Sequence, residues 1–194
     1  MPNFTDLAAF PAFYELPPAL PSASSPSSGY SDGGDLTWFL LAQIKENMTL
    51  TKPTLIVTDR KGVDFAVTFE DDPGVVDLKG RGFRKGHTLV AARATRTDRE
   101  EGKKAIVRIE RGCGGDVKVI PGSLERVFEL GLVLDGDDVG RKCAACGNDA
   151  GSLSRCTGCG TAAYCSKSCQ VKGWGDMGHK SNCKVLRSIK DIWG

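Results

Sequence analysis

The sequence predicts a small, mainly β barrel followed by a short cysteine-rich α+β module, with a disordered arm ahead of both. Three observations support this fold class. Short runs of alternating apolar residues fill the middle of the chain, proline, serine and glycine dominate residues 11–34, and seven of the eight cysteines lie between residues 143 and 183. A chain of 194 residues, 40% of them hydrophobic, can form one good core and a small satellite.

Residues 1–35 are predicted to be the disordered arm. Their segment PAFYELPPALPSASSPSSGYSDGG has few apolar anchors, so it cannot bury enough surface to offset the entropy of ordering. Its PPALP stretch could adopt polyproline II and dock into a groove, although such stretches are commonly linkers.

Residues 36–135 are predicted to be the barrel. The segment TWFLLAQIKENM fits a helix or a strand, and the alternating runs after it favour a first strand over residues 38–44. The later runs are TLIVTDRKG, VDFAVTFE, HTLVAARATR, AIVRIER and VKVI. Residues 60–62 predict a tight hairpin, and residues 71–86 predict an irregular excursion.

A closing helix is predicted after the last strand. Ser123 is expected to cap the segment LERVFEL, and Gly131 is expected to end it. With five or six short strands before it, this pattern resembles an OB-fold over about half of the chain.

The resemblance to an OB-fold raises single-stranded nucleic-acid binding as the alternative function. Such binding uses exposed aromatic residues inside a basic groove. Here the strand alternation turns Phe65 and Phe69 inward, and residues 54–135 carry fifteen basic and fourteen acidic groups. A scaffold or protein-binding barrel is therefore favoured, and nucleic acid is not expected as a partner.

The clustered cysteines predict a metal-binding segment. Between residues 143 and 183 the spacing is C-x2-C-x9-C-x2-C-x5-C-x3-C-x9-H-x3-C, which gives eight ligands in two tetrahedral sets. Zn²⁺ prefers four thiolate or imidazole donors, and iron–sulfur ligation matches this spacing less well. About forty residues with so few other apolar side chains cannot form a sufficient core without metal or disulfides. Two Zn²⁺ are expected, and the spacing alone leaves sequential and interleaved pairings open.

The segment CAACGNDAGSLSRCTGCGTAAYCSKSCQVKGWGDMGHKSNC resembles the MYND zinc finger over its whole length. The shared features are two C-x2-C hooks, the YCS-x2-CQ stretch, a tryptophan, an HK pair and a final cysteine. The resemblance implies cross-braced sites. One zinc would take Cys143, Cys146, Cys165 and Cys169. The other would take Cys156, Cys159, His179 and Cys183. The GDMG stretch before His179 is longer than in many relatives.

The resemblance also implies a protein-binding function. MYND relatives bind short proline-rich peptides at positions that correspond here to Thr157, Gln170 and Trp174. Gln170 and Trp174 are four residues apart on a predicted helix, so they share one face. Packing between the zinc sites is an equal alternative role for Trp174, and the two roles are compatible. The favoured hypothesis is an adaptor or co-regulator whose finger binds proline-rich segments of other proteins.

No enzymatic activity is expected. Four protein ligands around each ion leave no open position for water or substrate. No SET-like sequence accompanies the finger, and residues 36–135 are too short for such a domain. The first 25 residues lack a secretory leader, and no stretch approaches the roughly 18 to 20 apolar residues that cross a bilayer. We expect an intracellular protein of the cytoplasm or nucleus.

The charge of the C-terminal part does not indicate a strong phosphate binder. Residues 136–194, including a predicted C-terminal tail at 184–194, carry nine basic and five acidic groups, a formal charge of +4. Seven thiolates and two Zn²⁺ add a charge of −3 and leave about +1.

Overall fold

A computed structural model describes residues 2–19, 37–72, 74–136, 138–149 and 151–194 of the chain. These residues form two compact units. The first unit is Thr5–Val119, and the second unit combines Met1–Phe4 with Ile120–Gly194.

The first unit is built on a mixed β-sheet. Its strands are β1 (Phe39–Asn47), β2 (Thr54–Asp59), β3 (Asp64–Phe69), β4 (Thr88–Ala92), β5 (Arg96–Thr97), β6 (Ile106–Ile109) and β7 (Lys118–Ile120). Their order in the sheet is β5-β6-β3-β2-β1-β4-β7. Strand β3 pairs in parallel with β6, whereas β1 pairs with β2 and β4, β2 with β3, and β5 with β6 in antiparallel fashion.

The strand prediction is confirmed at the level of individual elements. The ambiguous TWFLLAQIKENM segment is a strand, and each later alternating run contains a strand. Phe65, Val67 and Phe69 are buried, as the alternation predicts. The sheet has seven strands in the described residues, whereas five or six were predicted. Within these residues the end strands β5 and β7 do not pair with each other, so the structure does not show the predicted closed barrel.

The predicted disorder of residues 1–35 is wrong for residues 2–19. Phe10, Phe13 and Leu16 are buried. The Phe13 ring stacks on Phe65 with a centroid distance of 4.1 Å, and the Phe13 N–H donates to the buried Asp59 carboxylate at 2.8 Å. A few apolar residues spaced three apart are enough to order this segment, because residues of the sheet provide the surface against which they pack. The rest of the predicted arm, including the last two residues of PPALP, lies outside the described residues.

The second unit contains helix α1 (Leu124–Asp135). The Ser123 hydroxyl accepts a hydrogen bond from the Arg126 N–H at 3.2 Å, which confirms the predicted cap. The prediction that Gly131 ends the helix is wrong. A Cβ at Gly131 would lie 2.0 Å from Cδ2 of Phe4, so glycine at this position makes room for an aromatic ring instead of terminating the helix.

The remaining elements of the second unit belong to the cysteine-rich segment and the residues after it. They are β8 (Ser154–Arg155), β9 (Ala163–Tyr164), α2 (Lys167–Trp174) and α3 (His179–Trp193). Residues 184–194, predicted as a separate tail, continue α3, and Val185, Leu186 and Ile189 are buried. Helix α3 packs against α1, and Phe4 contacts the Trp193 ring with a centroid distance of 5.2 Å. In the described residues, no helix has the length and apolar character required to cross a bilayer.

We expect Phe13→Ala to lower the free energy of unfolding of the first unit by about 3 to 5 kcal/mol, because it removes a buried ring from the core. Denaturant-induced unfolding would measure the loss. Leu7→Ala is a matched control, since Leu7 is in the same N-terminal segment but half-exposed. A loss no larger than that of Leu7→Ala would contradict the observed packing of this segment.

Candidate metal centre

Two similar hooks begin the cysteine-rich segment. In CAACG, the Gly147 N–H donates to the Cys143 carbonyl at 2.8 Å. In CTGCG, the Gly160 N–H donates to the Cys156 carbonyl at 2.7 Å. Both glycines have positive φ, +75° and +67°, a conformation that favours glycine and turns the chain behind the second cysteine. Each hook therefore presents two thiols on the same side of a tight turn.

The pair Cys165 and Cys169 is held by the start of helix α2. Cys165 follows strand β9 and precedes the N-cap residue Ser166, so only Cys169 lies within the helix. The two thiols are therefore not carried by one helical turn, although they are only four residues apart. The Ser166 side chain accepts a hydrogen bond from the Cys169 N–H at 3.2 Å, and this cap fixes the backbone that carries the thiol.

Helix α3 supplies the last two donors. His179 is its first residue, and Cys183 lies one turn later on the same face. The GDMG stretch forms turns between the two helices, with the Gly178 N–H donating to the Gly175 carbonyl at 3.1 Å. The extra length before His179 is thus taken up without displacing the ligand from the helix.

The structure brings the eight predicted ligands together in two sets. Cys143, Cys146, Cys165 and Cys169 form the first set, and Cys156, Cys159, His179 and Cys183 form the second. Within each set, all donor atoms lie within 4.8 Å of one another. The sets interleave along the chain, so the structure decides for the cross-braced pairing over the sequential one.

The spacing of the donor atoms fits zinc. Zn–S bonds of about 2.3 Å in a tetrahedron place two sulfurs about 3.8 Å apart. The Sγ atoms of Cys165 and Cys169 are 3.6 Å apart, and those of Cys156 and Cys183 are 3.8 Å apart. Nε2 of His179 lies 3.7 Å from Sγ of Cys159. The residues present therefore suit two four-coordinate Zn²⁺ sites.

Some of these thiols are already favoured as thiolates. A hydrogen bond from the Cys165 amide is the largest influence on Cys143 and lowers the pKa of its thiol to about 6. Burial raises the pKa of Cys156, but hydrogen bonds from His179 and from nearby backbone amides outweigh it and lower this pKa to about 6. Backbone amides and imidazole thus stabilise one thiolate in each set.

Other thiols resist ionisation. Hydrogen bonding with the neighbouring thiols, first that of Cys169, raises the pKa of Cys165 to about 12. Burial, followed by the adjacent Cys156, raises the pKa of Cys183 to about 12. Adjacent sulfurs cannot all carry negative charge at neutral pH unless a cation lies between them. A Zn²⁺ ion between the sulfurs would stabilise the thiolate forms, so that all of the thiols of a set could ionise together.

Two aromatic residues pack around the second set. Tyr164 is buried, its ring lies 6.1 Å from that of His179, and a Cβ at Gly173 would lie 2.4 Å from its Cε1. Burial, followed by the thiolate charges, raises the pKa of the Tyr164 hydroxyl. Trp174 contacts the His179 ring edge-on at 5.7 Å, yet 42% of the residue is exposed. Packing and an accessible face therefore coexist at Trp174.

The three predicted peptide-binding residues are all exposed. Gln170 and Trp174 lie one turn apart on helix α2, and Thr157 lies between the cysteines of the second hook. Exposure and helical spacing agree with the prediction, while a role in peptide binding stays a prediction.

Sequence reasoning missed a cavity of about 570 Å³ in the second unit. Helix α1 contributes Leu130 and Val133 to its lining, and the finger contributes Tyr164 and Met177. The buried Tyr164 hydroxyl has no hydrogen-bond partner among the described residues. The only sequence signal was Met177, an apolar residue inside the unusually long GDMG stretch. Helix α1 could not have been assigned to this cavity without the fold.

These two interleaved sites define a cross-braced, two-zinc finger, and comparison with known proteins specifies its kind. The MYND finger family matches residues 143–183. The SET domain and MYND-type zinc finger protein 6 of Schizosaccharomyces pombe is 37% identical over 59 residues, which cover 30% of this chain and 12% of that protein. The human histone-lysine N-methyltransferase SMYD3 is 53% identical over 38 residues, which cover 20% of this chain and 8% of that protein.

Residues 143–183 are a MYND zinc finger with two Zn²⁺ sites. MYND fingers are protein-interaction modules, so the chain carries one such module in its C-terminal part. The matches span only about a tenth of the length of the two relatives and do not extend to most of the chain.

We expect elemental analysis to find two zinc ions per chain. Cys183→Ser should bind fewer than two, because it removes one ligand of the second set. Cys113→Ser should retain both, since Cys113 is an exposed cysteine of the first unit. One zinc in the unsubstituted chain, or iron in its place, would contradict the assignment.

Chelation should unfold residues 143–183, because structural zinc contributes on the order of 10 kcal/mol or more to small fingers at neutral pH. The first unit should keep its thermal transition, since its apolar core contains no member of either ligand set. Circular dichroism and calorimetry before and after chelation would test this expectation. Concurrent loss of both transitions would contradict it.

Proposed function

We propose that the MYND finger binds proline-rich peptide segments of partner proteins and that the chain acts as an adaptor or co-regulator. Trp174 carries the proposal, because the residue is 42% exposed although its ring packs edge-on against His179. Helix α2, which carries this indole, is anchored by the zinc ligand Cys169. A rigid, exposed aromatic face is what a preformed polyproline II segment needs for docking with little loss of entropy.

Gln170 and Thr157 would form the polar edge of the binding surface. Gln170 lies one turn before Trp174 on the same helix, and its amide can both donate and accept hydrogen bonds. Thr157 projects from the second hook, which zinc also fixes. Polyproline II leaves its carbonyl groups without internal hydrogen bonds, so these side chains have partners on such a peptide.

We propose further that the finger has no catalytic role. Each set provides four protein donors, and a tetrahedral ion bound by four donors has no open position for water or substrate. The name of one relative refers to histone-lysine methylation, but its similarity to this chain is confined to a 38-residue segment. The present proposal therefore takes only the interaction function from the finger.

The first unit is proposed to be an OB-like barrel that serves as a scaffold or binds protein. Strands β4 and β5 are separated in sequence by only three residues, yet β4 pairs with β1 and β5 with β6. A bend at Arg93, which has a φ of +51°, lies in this connection. A continuous segment that pairs with both β1 and β6 supports wrapping of the sheet into a partly open barrel.

We expect Trp174→Ala to weaken binding of a PxLxP peptide at least about tenfold while two zinc ions are retained, because buried aromatic anchors dominate such interfaces. Calorimetry on the zinc-loaded full chain would measure the change. Val171→Ala is a matched control, since Val171 is exposed on the same helix.

Equal binding by wild type and zinc-replete Trp174→Ala would rule out this surface. If Met177→Ser abolished binding instead, the peptide would occupy the cavity between the finger and helix α1. Loss of zinc from Trp174→Ala would assign the indole to packing.

The alternative, single-stranded nucleic-acid binding by the first unit, has weaker support. Phe65 and Phe69 lie in the core, so neither is available for base stacking. We expect weak or no binding of oligothymidine at physiological salt. Fluorescence titration would measure it, and sub-micromolar affinity that falls as salt is added would favour the alternative.

A further inference from the structure

A second cavity of the C-terminal unit, about 320 Å³ in volume, is lined by cations. Its lining includes Arg141, Arg155, Gly160, Thr161 and Lys190. In the part of the chain that the structure describes, three lining residues are basic and no carboxylate lines the cavity. None of the three belongs to the predicted ligand or peptide-binding residues.

Two of these cations lie against glycine residues. The Arg155 guanidinium donates from Nη1 to the Gly160 carbonyl at 3.2 Å and covers Gly140, where a Cβ would lie 2.9 Å from Nη1. The Lys190 ammonium also approaches Gly160, where a Cβ would lie 3.3 Å from Nζ. Strand β8 and helix α3 thus bring two positive groups to the same glycine of the second hook.

Within the described ranges, the cations of this cavity have no carboxylate partners. Among the described residues, Arg141, Arg155 and Lys190 take part in none of the ion pairs, whereas the adjacent Lys142 is paired with Asp138 at 3.0 Å. Converging like charges repel one another. The zinc site at Cys156 and its partners would carry a net charge of −1 and offset only part of this repulsion. A bound anion would offset the remainder.

We propose that this cavity binds the phosphoryl group of a phosphorylated serine or threonine in a protein partner. A planar guanidinium binds phosphate oxygens in a bidentate fashion, and Arg155 is held in one orientation by its bond to Gly160. Three positive charges match a phosphoryl group of charge −1.5 to −2. The choice of a peptide as carrier rests on the proposed function of the finger, whereas the anion site itself does not.

The cavity favours a single phosphoryl group over a nucleic acid. Strong binding of a nucleic acid requires a row of cations along many phosphates, usually with exposed aromatic residues for the bases. Here three cations converge on one small cavity, and the zinc-loaded C-terminal part has a formal charge of only about +1. We therefore expect modest affinity for a single phosphoryl group.

Nuclear magnetic resonance titration of the zinc-loaded full chain would test the proposal. Inorganic phosphate and a capped phosphoserine peptide should produce saturable shifts at the amides of Gly160 and Thr161, and the unphosphorylated peptide should not. Arg155→Gln and Lys190→Gln should each weaken binding about threefold to fivefold, the upper part of the range for exposed charge pairs. Lys184→Gln, on the same helix as Lys190 but outside the cavity lining, should leave it unchanged.

Several results would overturn the site. They are the absence of saturable shifts, equal weakening by Lys184→Gln and Lys190→Gln, and tighter binding of oligothymidine than of the phosphoserine peptide. If Arg155→Gln released zinc, the Lys190→Gln variant would be the test of phosphate binding. Unchanged phosphate binding by Lys190→Gln would then overturn the anion site and show that the cations only balance the charge of the zinc site. Trp174→Ala should not alter the phosphate titration, so failure of the proline-peptide surface can be distinguished from failure of this site.

Discussion

The structure of the C-terminal unit depends on one electrostatic constraint, the crowding of seven thiols and one imidazole into two small sets. Sulfur atoms 3.6 to 3.8 Å apart cannot all be ionised without a cation between them, and the pKa values of about 12 at Cys165 and Cys183 express this. Zinc removes the conflict and ties together hooks, strand and helices that have few apolar contacts of their own. Everything else in the finger is arranged around the resulting tetrahedra.

The same constraint positions the proposed binding groups. Cys169 fixes helix α2 and with it Trp174, while His179 and Cys183 fix the start of helix α3. Helix α3 continues beyond the finger, where its buried residues pack against α1, and Lys190 lies on this extension. Zinc binding, the aromatic surface and the basic cavity are therefore physically linked, although each can be tested separately.

The first unit follows a different principle, because its order comes from an apolar core. The composition of the N-terminal residues suggests disorder, yet residues 2–19 are ordered where Phe13 stacks on Phe65 and donates to Asp59. A prediction of disorder from composition averages the residue types of a whole segment. Burial instead depends on whether a few residues of the segment pack against residues distant in sequence. The seven-stranded order and the parallel β3–β6 pair likewise depend on contacts between distant segments.

The sequence by itself determined the identities of the eight ligands, the finger family, the strands of the central region and the cap at Ser123. The ligands, the strands and the cap follow from local spacing, alternation and side-chain chemistry, and the finger family follows from the resemblance of the motif. The spacing of the ligands left their pairing open, since hooks of identical spacing can reach either ion. The family resemblance implied the interleaved pairing, and the tertiary structure decided it. It also decided the role of Gly131, which depends on Phe4 more than a hundred residues away, and the convergence of Arg155 and Lys190 on Gly160. Contacts between residues distant in the chain leave no local pattern, and for that physical reason the sequence alone could not reveal them.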